Sequence, residues 1–320
     1  MGWMSHGEFM TRKIFISIGE CMAELQLARD GLYSLGFGGD TLNTAWYVKA
    51  LTSPDEVAVE YLTSVGGDQL SQDLLAFLKT HKIGTRFIQE ISGRNLGLYL
   101  ITLQGSERSF TYWRNASAAK LLAEDEGRLR SALSQADVIY FSGVTLAILE
   151  TDHRQNFLNV LAEMKQRGVM IAFDSNVRRK LWLSDHAMKE AMIAGYRAAT
   201  LALPTFDDDC TLFEDNTPSH CARRIAAYGV NEIIVKDGSR PCLVLVNGSI
   251  STISPEPVEK IVDTTGAGDC FNAGYLAARI SGKEPLAAAR LAHRVAGRVI
   301  GSRGALAGMA SFSDLIVSGP

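Results

Sequence analysis

Short apolar runs alternate with amphipathic segments along most of the chain. Five runs are brief, rich in β-branched residues and bounded by glycine or polar residues, which predicts buried strands at residues 13–19, 57–65, 137–141, 169–173 and 232–235. Leucines at helical spacing follow Asp68, which can cap the helix that they form, and another helix is predicted over 152–165. Strands that alternate with helices predict a mainly parallel sheet with helices on both faces.

Two segments, at about residues 31–39 and 86–114, depart from this alternation. Both contain strand-like residues without a helix between them, and turn signals at 92–95 and 104–106 divide the second segment into strands at 86–88, 98–102 and 108–113. We expect a meander inserted into an α/β chain to project as a small antiparallel sheet. The alternative is an extension of the edge of the main sheet.

Composition narrows the class of protein. Of the 320 residues, 47% are hydrophobic and 21% are charged, so the chain can bury a large core and disorder is disfavoured. The net charge of −3 argues against binding to nucleic acid or to a membrane surface, and no apolar run approaches the ~20 residues of a membrane span. We interpret residues 1–12 as an unstructured or vector-derived leader and residues 13–320 as one α/β domain.

The cysteines are scattered, odd in number and without a C-x-x-C pair: Cys21, Cys210, Cys221, Cys242 and Cys270. This pattern is typical of a reduced, cytoplasmic protein and gives no sign of a metal cluster.

The stretch DTTGAGD at residues 263–269 precedes a predicted helix with small residues on one side. Gly266 and Gly268 free the backbone to point its N–H groups outward, and a helix N-terminus favours anions, so the stretch predicts a phosphate cradle. Asp269 would repel a phosphate unless it accepts a proton from the group that attacks that phosphate. The alternative is a plain glycine-rich turn in which Asp269 caps the helix.

The full stretch and its helix resemble the C-terminal signature of ribokinase-like (PfkB-type) sugar kinases. The resemblance implies a three-layer α/β/α sandwich with a mainly parallel central sheet, and a small β-sheet lid formed by 31–39 and 86–114. It further implies that the backbone of Gly266, Ala267 and Gly268 forms an anion hole and that Asp269 is the general base that activates a sugar hydroxyl.

Near the N-terminus, Gly38 and Gly39 would let a ligand approach the backbone, and Asp40 and Asn43 lie about one helical turn apart at the start of a predicted helix. Taken alone, Asp40 is better explained as an N-cap. By resemblance to the same family, these four residues form the sugar site, with Asp40 and Asn43 on the hydroxyls.

Several stretches resemble 2-keto-3-deoxygluconate kinases within this family: GGDTLNTA from Gly38, the segment 97–99, the segment 112–120 and the segment 173–182. A sugar acid carries a carboxylate, which a guanidinium fork binds well. Arg114, Arg178 and Arg108 are candidates for that fork, with surface ion pairs as the alternative. Tyr99 and Tyr112 are candidates for the wall of the site, or else ordinary core aromatics.

For the nucleotide, the chain has neither a GxxxxGK[ST] P-loop nor the HRD and DFG motifs of protein kinases. The resemblance implies ATP, with Lys236, Asp237, Gly238 and Ser239 in the nucleotide loop and Asn176 as a further contact. A simple hairpin turn is the alternative for that loop. His293 could border the adenine, although a hydrogen-bonded core histidine is the preferred interpretation.

The family holds Mg²⁺ largely through water and phosphate, near an N-x-x-E element. Here the matching stretch is Thr205-Phe206-Asp207-Asp208-Asp209, and we expect Asp209 to replace the glutamate, directly or through water. Some relatives also bind a monovalent cation such as K⁺ beside the residues that match Asp263 and Thr265.

The resemblance therefore implies ATP-dependent phosphorylation of the 6-hydroxyl of 2-keto-3-deoxygluconate, and we expect the enzyme to be a homo-oligomer, a dimer or larger. The alternatives are a fructokinase or another ketose kinase of the same fold, and a non-catalytic sugar- or nucleotide-binding protein. A dinucleotide-binding dehydrogenase is disfavoured because no G-x-G-x-x-G follows the first strand.

Overall fold

The structure is a computed structural model that describes residues 12–27, 31–104 and 107–319, without the side chains of residues 103, 104, 107 and 108. The predicted leader, apart from its last residue, and the candidate side chain of Arg108 therefore lie outside the described residues. None of the described helices combines the length and the hydropathy needed to cross a membrane.

The described strands are β1 (Lys13–Ile18), β2 (Met22–Leu27), β3 (Tyr33–Gly38), β4 (Val57–Leu62), β5 (Ser64–Val65), β6 (Gln89–Glu90), β7 (Gly97–Gln104), β8 (Glu107–Trp113), β9 (Val138–Ser142), β10 (Met170–Asp174), β11 (Leu201–Ala202), β12 (Glu232–Val235), β13 (Cys242–Val246) and β14 (Ser249–Ile253). The described α-helices are α1 (Asp40–Leu51), α2 (Gln69–Thr80), α3 (Glu126–Leu133), α4 (Gly143–Ile148), α5 (Thr151–Gln166), α6 (Asp185–Ala198), α7 (Phe206–Phe213), α8 (Pro218–Ala227), α9 (Ala267–Ile280) and α10 (Pro285–Val299).

In the described chain, a central sheet has the strand order β14-β13-β12-β11-β10-β9-β1-β4. The pairs from β4 to β12 are parallel, and β13 and β14 add an antiparallel edge. Side chains alternate across it, so that Phe15 packs in the core under α1 and α9 while Ile16 packs in the core under α3, α5 and α6. The predicted α/β sandwich with a mainly parallel sheet is confirmed.

A second sheet of order β3-β2-β7-β8 is separate from the central sheet in the described residues, so the predicted small sheet is confirmed and the edge extension is wrong. Two details differ from the prediction. The strand β2 was not predicted, and its parallel pairing with β7 makes the sheet mixed instead of antiparallel. Residues 86–88 form a turn, closed by Ile88 N donating to Thr85 O (3.0 Å), and not a strand. We call the sheet of β2, β3, β7 and β8 the lid sheet.

The parallel order brings polar residues to one edge of the central sheet. The strand β10 ends at Asp174, and Lys236 follows the end of β12. Helices α1 and α9 pack against each other in the same core, and each begins at one of the two motifs found in the sequence. This edge is where the carboxyl ends of parallel strands usually carry a ligand.

Candidate active site

The helix α9 begins at the glycine-rich motif. Gly266 precedes it with φ 75°, a left-handed conformation that glycine adopts without strain, and a Cβ there would lie 3.3 Å from Ala305. Among the described residues no side chain caps this helix, so its first N–H groups can bind an anion. An anion cradle formed by Gly266, Ala267 and Gly268 stays a prediction, for which this helix start supplies the N–H donors.

Asp269 lies in the first turn of α9 and meets α1. Asn43 Nδ2 donates to Asp269 Oδ2 (2.8 Å), which joins two motifs that are 226 residues apart in sequence. Burial, together with the negative charge of Asp40, raises the pKa of Asp269 to about 7, while the hydrogen bond from Asn43 opposes that rise. A carboxylate with this pKa is suited to accept a proton near neutral pH.

Asp40 is connected to the loop after β10. Asn176 Nδ2 donates to Asp40 Oδ2 (2.5 Å), and Asn176 N donates to Asp174 Oδ1 (3.2 Å). Asn176 was predicted as a nucleotide contact, but the structure places its amide on a residue predicted for the sugar. Asp40 is the first residue of α1, and Gly39, not Asp40, is its N-cap.

A buried polar cluster lies behind the cradle. Lys236 Nζ donates to Asp174 Oδ2 (3.0 Å) and to Asn272 Oδ1 (2.9 Å). Asn272 Nδ2 donates in turn to Asp174 Oδ2 (2.7 Å) and to Tyr140 Oη (3.1 Å). The Lys236 ammonium lies 3.6 Å from the position that a Cβ on Gly268 would occupy. A fixed positive charge therefore adjoins the N-terminus of α9.

The inner face of the lid sheet carries the two predicted tyrosines. Tyr99 and Tyr112 are a cross-strand pair with ring centroids 5.9 Å apart. Tyr99 is buried and donates its hydroxyl to Glu24, whereas Tyr112 is exposed. Gly38 is needed here because a Cβ would collide with the Tyr99 hydroxyl.

Arg114 follows β8 and pairs with Glu20, a residue that sequence reasoning missed. The Arg114 side chain is 12% exposed and that of Glu20 is 1% exposed, so the pair is nearly dry. Backbone passes close to Glu20 at two places. A Cβ on Gly39, directly after β3, would collide with the Glu20 carbonyl oxygen, and a Cβ on Gly97, the first residue of β7, would lie 2.7 Å from Glu20 Oε1. Arg114 is thus held where the lid sheet joins the central domain.

Arg178 is placed differently. Its side chain is 56% exposed and lies 3.9 Å from Asp208, and its Nη1 donates to Val177 O (3.0 Å). The two arginines predicted as one fork therefore have separate partners. Asp208 lies on the side of the candidate site, because its Oδ2 accepts a hydrogen bond from Val177 N (3.2 Å), next to Asn176. Burial raises the pKa of Asp208.

Asp209, predicted as the metal ligand, lies in the opposite direction. It is fully buried and accepts hydrogen bonds from Ser175 Oγ (2.6 Å), Tyr196 Oη (2.7 Å) and Arg224 Nη2 (2.8 Å). These contacts give Asp209 a structural role, and Asp208 is the acidic residue of this run that faces the site. Sequence alone does not show which side of a first helical turn is buried. The structure shows that protein donors occupy the Asp209 carboxylate, and the metal site itself stays a prediction.

The atoms of Asp209, Asp215 and Cys221 that could hold a metal ion lie within 4.8 Å of one another. The guanidinium of Arg224 occupies this cluster, with Nη2 only 2.7 Å from Asp215 Oδ2. The positive charge that a metal would supply is therefore already present in the fold. All five cysteines are free thiols.

The remaining predicted nucleotide residues, Asp237, Gly238 and Ser239, form the hairpin turn between β12 and β13. Gly238 has φ 59°, and Asp237 pairs with Arg240. The hairpin alternative is confirmed for the local structure, which leaves a nucleotide contact open.

The predicted monovalent-cation residues organise the loop before α9. Asp263 Oδ1 accepts hydrogen bonds from Thr265 N (3.0 Å) and Thr265 Oγ1 (2.7 Å), and Asp263 Oδ2 accepts one from Gly304 N (2.8 Å). His293 is a buried core histidine that contacts Ile253 O through Nε2 (3.0 Å), as preferred from the sequence.

The residues missed by sequence reasoning share one trait. Glu20, Asp174 and Asn272 are single polar residues next to or inside apolar segments, where burial makes a polar side chain informative. Asp174 ends an otherwise apolar strand and Asn272 interrupts an apolar helix, so both signals were present in the chain.

The fold and this site define a carbohydrate kinase of the α/β class. The chain belongs to the pfkB family, since the family model described as pfkB family carbohydrate kinase matches residues 13–311. The predicted family and enzyme class are confirmed.

The relatives agree with this assignment. The chain is 38% identical over 303 residues to the 2-dehydro-3-deoxygluconokinase of Dickeya dadantii, a match that covers 93% of this chain and 97% of that protein. Its fold is similar to that of the 2-dehydro-3-deoxygluconokinase of Thermotoga maritima (TM-score 0.80, 18% identity, 95% and 98% coverage). It is also similar to a putative ribokinase II from E. coli in complex with ATP and Mg²⁺ (TM-score 0.79, 22% identity, 95% and 98% coverage).

Proposed function

We propose that the protein transfers the γ-phosphoryl group of ATP to the 6-hydroxyl of 2-keto-3-deoxygluconate, also called 2-dehydro-3-deoxygluconate. The proposal rests on one observation. Asp269, whose pKa is raised, and the uncapped start of α9 lie next to Asp40 and Asn43 of α1. The substrate is suggested by relatives named 2-dehydro-3-deoxygluconokinase, which are 36–38% identical to this chain over 93% of its length.

In the proposed step, Asp269 accepts the proton of the 6-hydroxyl as O6 attacks the γ-phosphorus. The bond from that phosphorus to the β,γ-bridging oxygen breaks, and ADP leaves with the electron pair. Backbone N–H groups of Gly266, Ala267 and Gly268 stabilise charge on the transferring group. Lys236 contributes a fixed positive charge beside the same N-terminus.

We place the nucleotide on the side of Lys236 and the hairpin of Asp237, Gly238 and Ser239, which borders the start of α9. Mg²⁺, which a structurally similar protein binds together with ATP, would offset the phosphate charge when bound. Asp208 could bind such an ion through water, because its carboxylate faces the site and its side chain is 31% exposed. The Asp209 carboxylate already accepts hydrogen bonds from three protein groups. We retain Asp263 and Thr265 as the candidate region for K⁺.

We place the sugar between α1 and the lid sheet. Asp40 and Asn43 would bind its hydroxyls, Gly38 and Gly39 would form the floor, and the lid would cover it. Asn43 Oδ1 supports this, since it is buried with no hydrogen-bond partner among the described residues.

Arg114 is the preferred partner for the substrate carboxylate. It lies beside Tyr112, with its guanidinium 5.9 Å from the ring centroid, and at the base of the lid sheet. Arg178 remains a second candidate, reached from the Asp208 side.

A coupled assay with 2-keto-3-deoxygluconate, its galactonate epimer, fructose and ribose tests the proposal. We expect the highest kcat/KM with one of the two sugar acids. Preference for fructose would favour a ketose kinase, and absence of turnover with every sugar would favour a non-catalytic binding protein.

We further propose that the protein is a cytoplasmic homo-oligomer. The outer face of the lid sheet supports self-association, because Leu27, Tyr33, Leu35 and Trp113 share that face and are each 47–54% exposed. Light scattering coupled to size-exclusion chromatography tests the oligomeric state, with a single-chain mass of 34.8 kDa for comparison. Leu35→Glu should lower the measured mass, and a monomeric wild-type protein would refute the idea.

A further inference from the structure

Two consecutive carboxylates of α7 hold the residues on both sides of Asn176. Ser175 Oγ donates to Asp209 Oδ2 (2.6 Å), and Val177 N donates to Asp208 Oδ2 (3.2 Å). Between these two anchors, the Asn176 amide donates to Asp40 (2.5 Å). A short segment of the site is therefore hydrogen-bonded to α7 on both sides of Asn176.

The backbone of this segment needs such support. Asn176 has φ 31°, in the left-handed region that residues other than glycine rarely occupy. Such a conformation persists where neighbouring contacts fix it. On the opposite side, a Cβ on Gly143 would collide with the carbonyl oxygen of Ser175, so α4 begins in direct contact with the same segment.

The anchor is itself immobilised by helices outside the site. Tyr196 of α6 and Arg224 of α8 both donate to Asp209 Oδ1, at 2.7 and 2.8 Å. Arg224 is held in turn by Asp215 through Nε and Nη2 (3.0 and 2.7 Å). Ser175, Asp209 and Tyr196 are fully buried, so water does not compete for these bonds.

We propose that Ser175 and Asp209, backed by Arg224, are positioning residues that hold Asn176 so that its amide orients Asp40 for the sugar. The inference rests on the proposed function, in which Asp40 binds sugar hydroxyls. It assigns a role in sugar affinity to Ser175 and Asp209, although both are fully buried.

The test is a double-mutant cycle of Ser175→Ala and Asn176→Ala, with KM measured for sugar and for ATP. Ser175→Ala removes the link to Asp209 but leaves the Asp209–Arg224 pair in place. We expect it to raise the sugar KM about tenfold, the low end for a lost hydrogen bond to a charged group, with little change in the ATP KM. In the Asn176→Ala background, Ser175→Ala should have no further effect.

Tyr275→Phe is the matched control. Tyr275 Oη donates to Glu232 Oε1 (2.7 Å), and Arg279 Nε also donates to that atom (2.8 Å), so this carboxylate has the same kinds of partner as Asp209. Glu232 lies at the amino end of β12, opposite the site. Tyr275→Phe should change the melting temperature without changing either KM.

Independent effects of Ser175→Ala and Asn176→Ala, or an effect confined to the ATP KM, would overturn the inference. If Ser175→Ala is insoluble, Tyr196→Phe, which loosens Asp209 from the far side, goes through the same cycle with the same expectations. Failure of the proposed function is distinguishable, because the wild type would then turn over a different sugar or no sugar at all. The cycle would be measured with that sugar in the first case and with sugar dissociation constants from calorimetry in the second.

Discussion

Asp269 and Asp209 are two acidic residues near the carboxyl ends of the strands, and their surroundings are opposite. Two hydroxyls and a guanidinium donate to Asp209, whereas the described side-chain donor to the Asp269 carboxylate is the amide of Asn43. Burial raises the pKa of both, but Arg224 opposes the rise at Asp209, while Asp40 adds to it at Asp269. A carboxylate saturated with donors stabilises the fold, and one beside a like charge is poised to take a proton.

The largest expected effect is that of Asp269→Asn. The amide cannot accept the proton, so kcat should fall by about 10²–10⁴-fold while ATP binding persists. Steady-state kinetics and nucleotide titration measure the two quantities. Turnover within a few-fold of wild type would mean that Asp269 is only part of the helix start. Asp269 would then not differ from Asp209 by a catalytic role.

Asp209→Ala should produce the reverse pattern, a loss of stability. Removing one member of a buried ion pair typically costs about 3–5 kcal/mol, and we expect the low end because Asp215 still pairs with Arg224. Denaturant unfolding gives the free energy. A variant as stable as wild type would contradict the structural role, whereas Asp269→Asn is expected to retain or gain stability at pH 8.

Arg114→Lys tests a third environment, a paired arginine beside the candidate sugar site. Lysine keeps the charge but loses the planar fork, so kcat/KM for the sugar acid should fall by roughly ten- to a hundredfold. Fructose has no carboxylate and should be affected far less if the wild type accepts it. Arg178→Lys is the parallel variant, and equal losses for both sugars in either variant would assign that arginine to the phosphates or the scaffold.

The pH dependence of kcat/KM and of stability tests the proposed role of Asp269 through a smaller effect. With the Asp269 pKa at about 7, kcat/KM should fall roughly tenfold per pH unit below that value, since the protonated acid is not a base. The same raised pKa means that the folded state binds the proton more tightly than the unfolded state, so this group favours folding more as the pH falls from 8 to 5. The difference in unfolding free energy between wild type and Asp269→Asn should therefore shrink over that range. A flat rate profile through pH 6–8 would contradict the assignment.

The sequence by itself determined the class of fold and the two motifs. Apolar runs of strand length, helices ended by glycine and the stretch at 263–269 follow from local rules of burial, capping and backbone freedom. Those rules act within a few residues, and so they can be read along the chain. The strand β2 was not predicted, because its sequence, MAELQL, places a charged side chain and an amide side chain on one face. Only the partners of β2 in the lid sheet explain that face.

Only the tertiary structure decided which polar residues share an environment. It joined Asn43 to Asp269 and Asn176 to Asp40 across long sequence separations, and it turned Asp208 and Asp209, neighbours in one helical turn, to opposite sides. It also paired Arg114 with Glu20. Hydrogen bonds and ion pairs of this kind depend on where whole helices pack against the sheet, and that packing is a property of the entire core, which no single motif encodes.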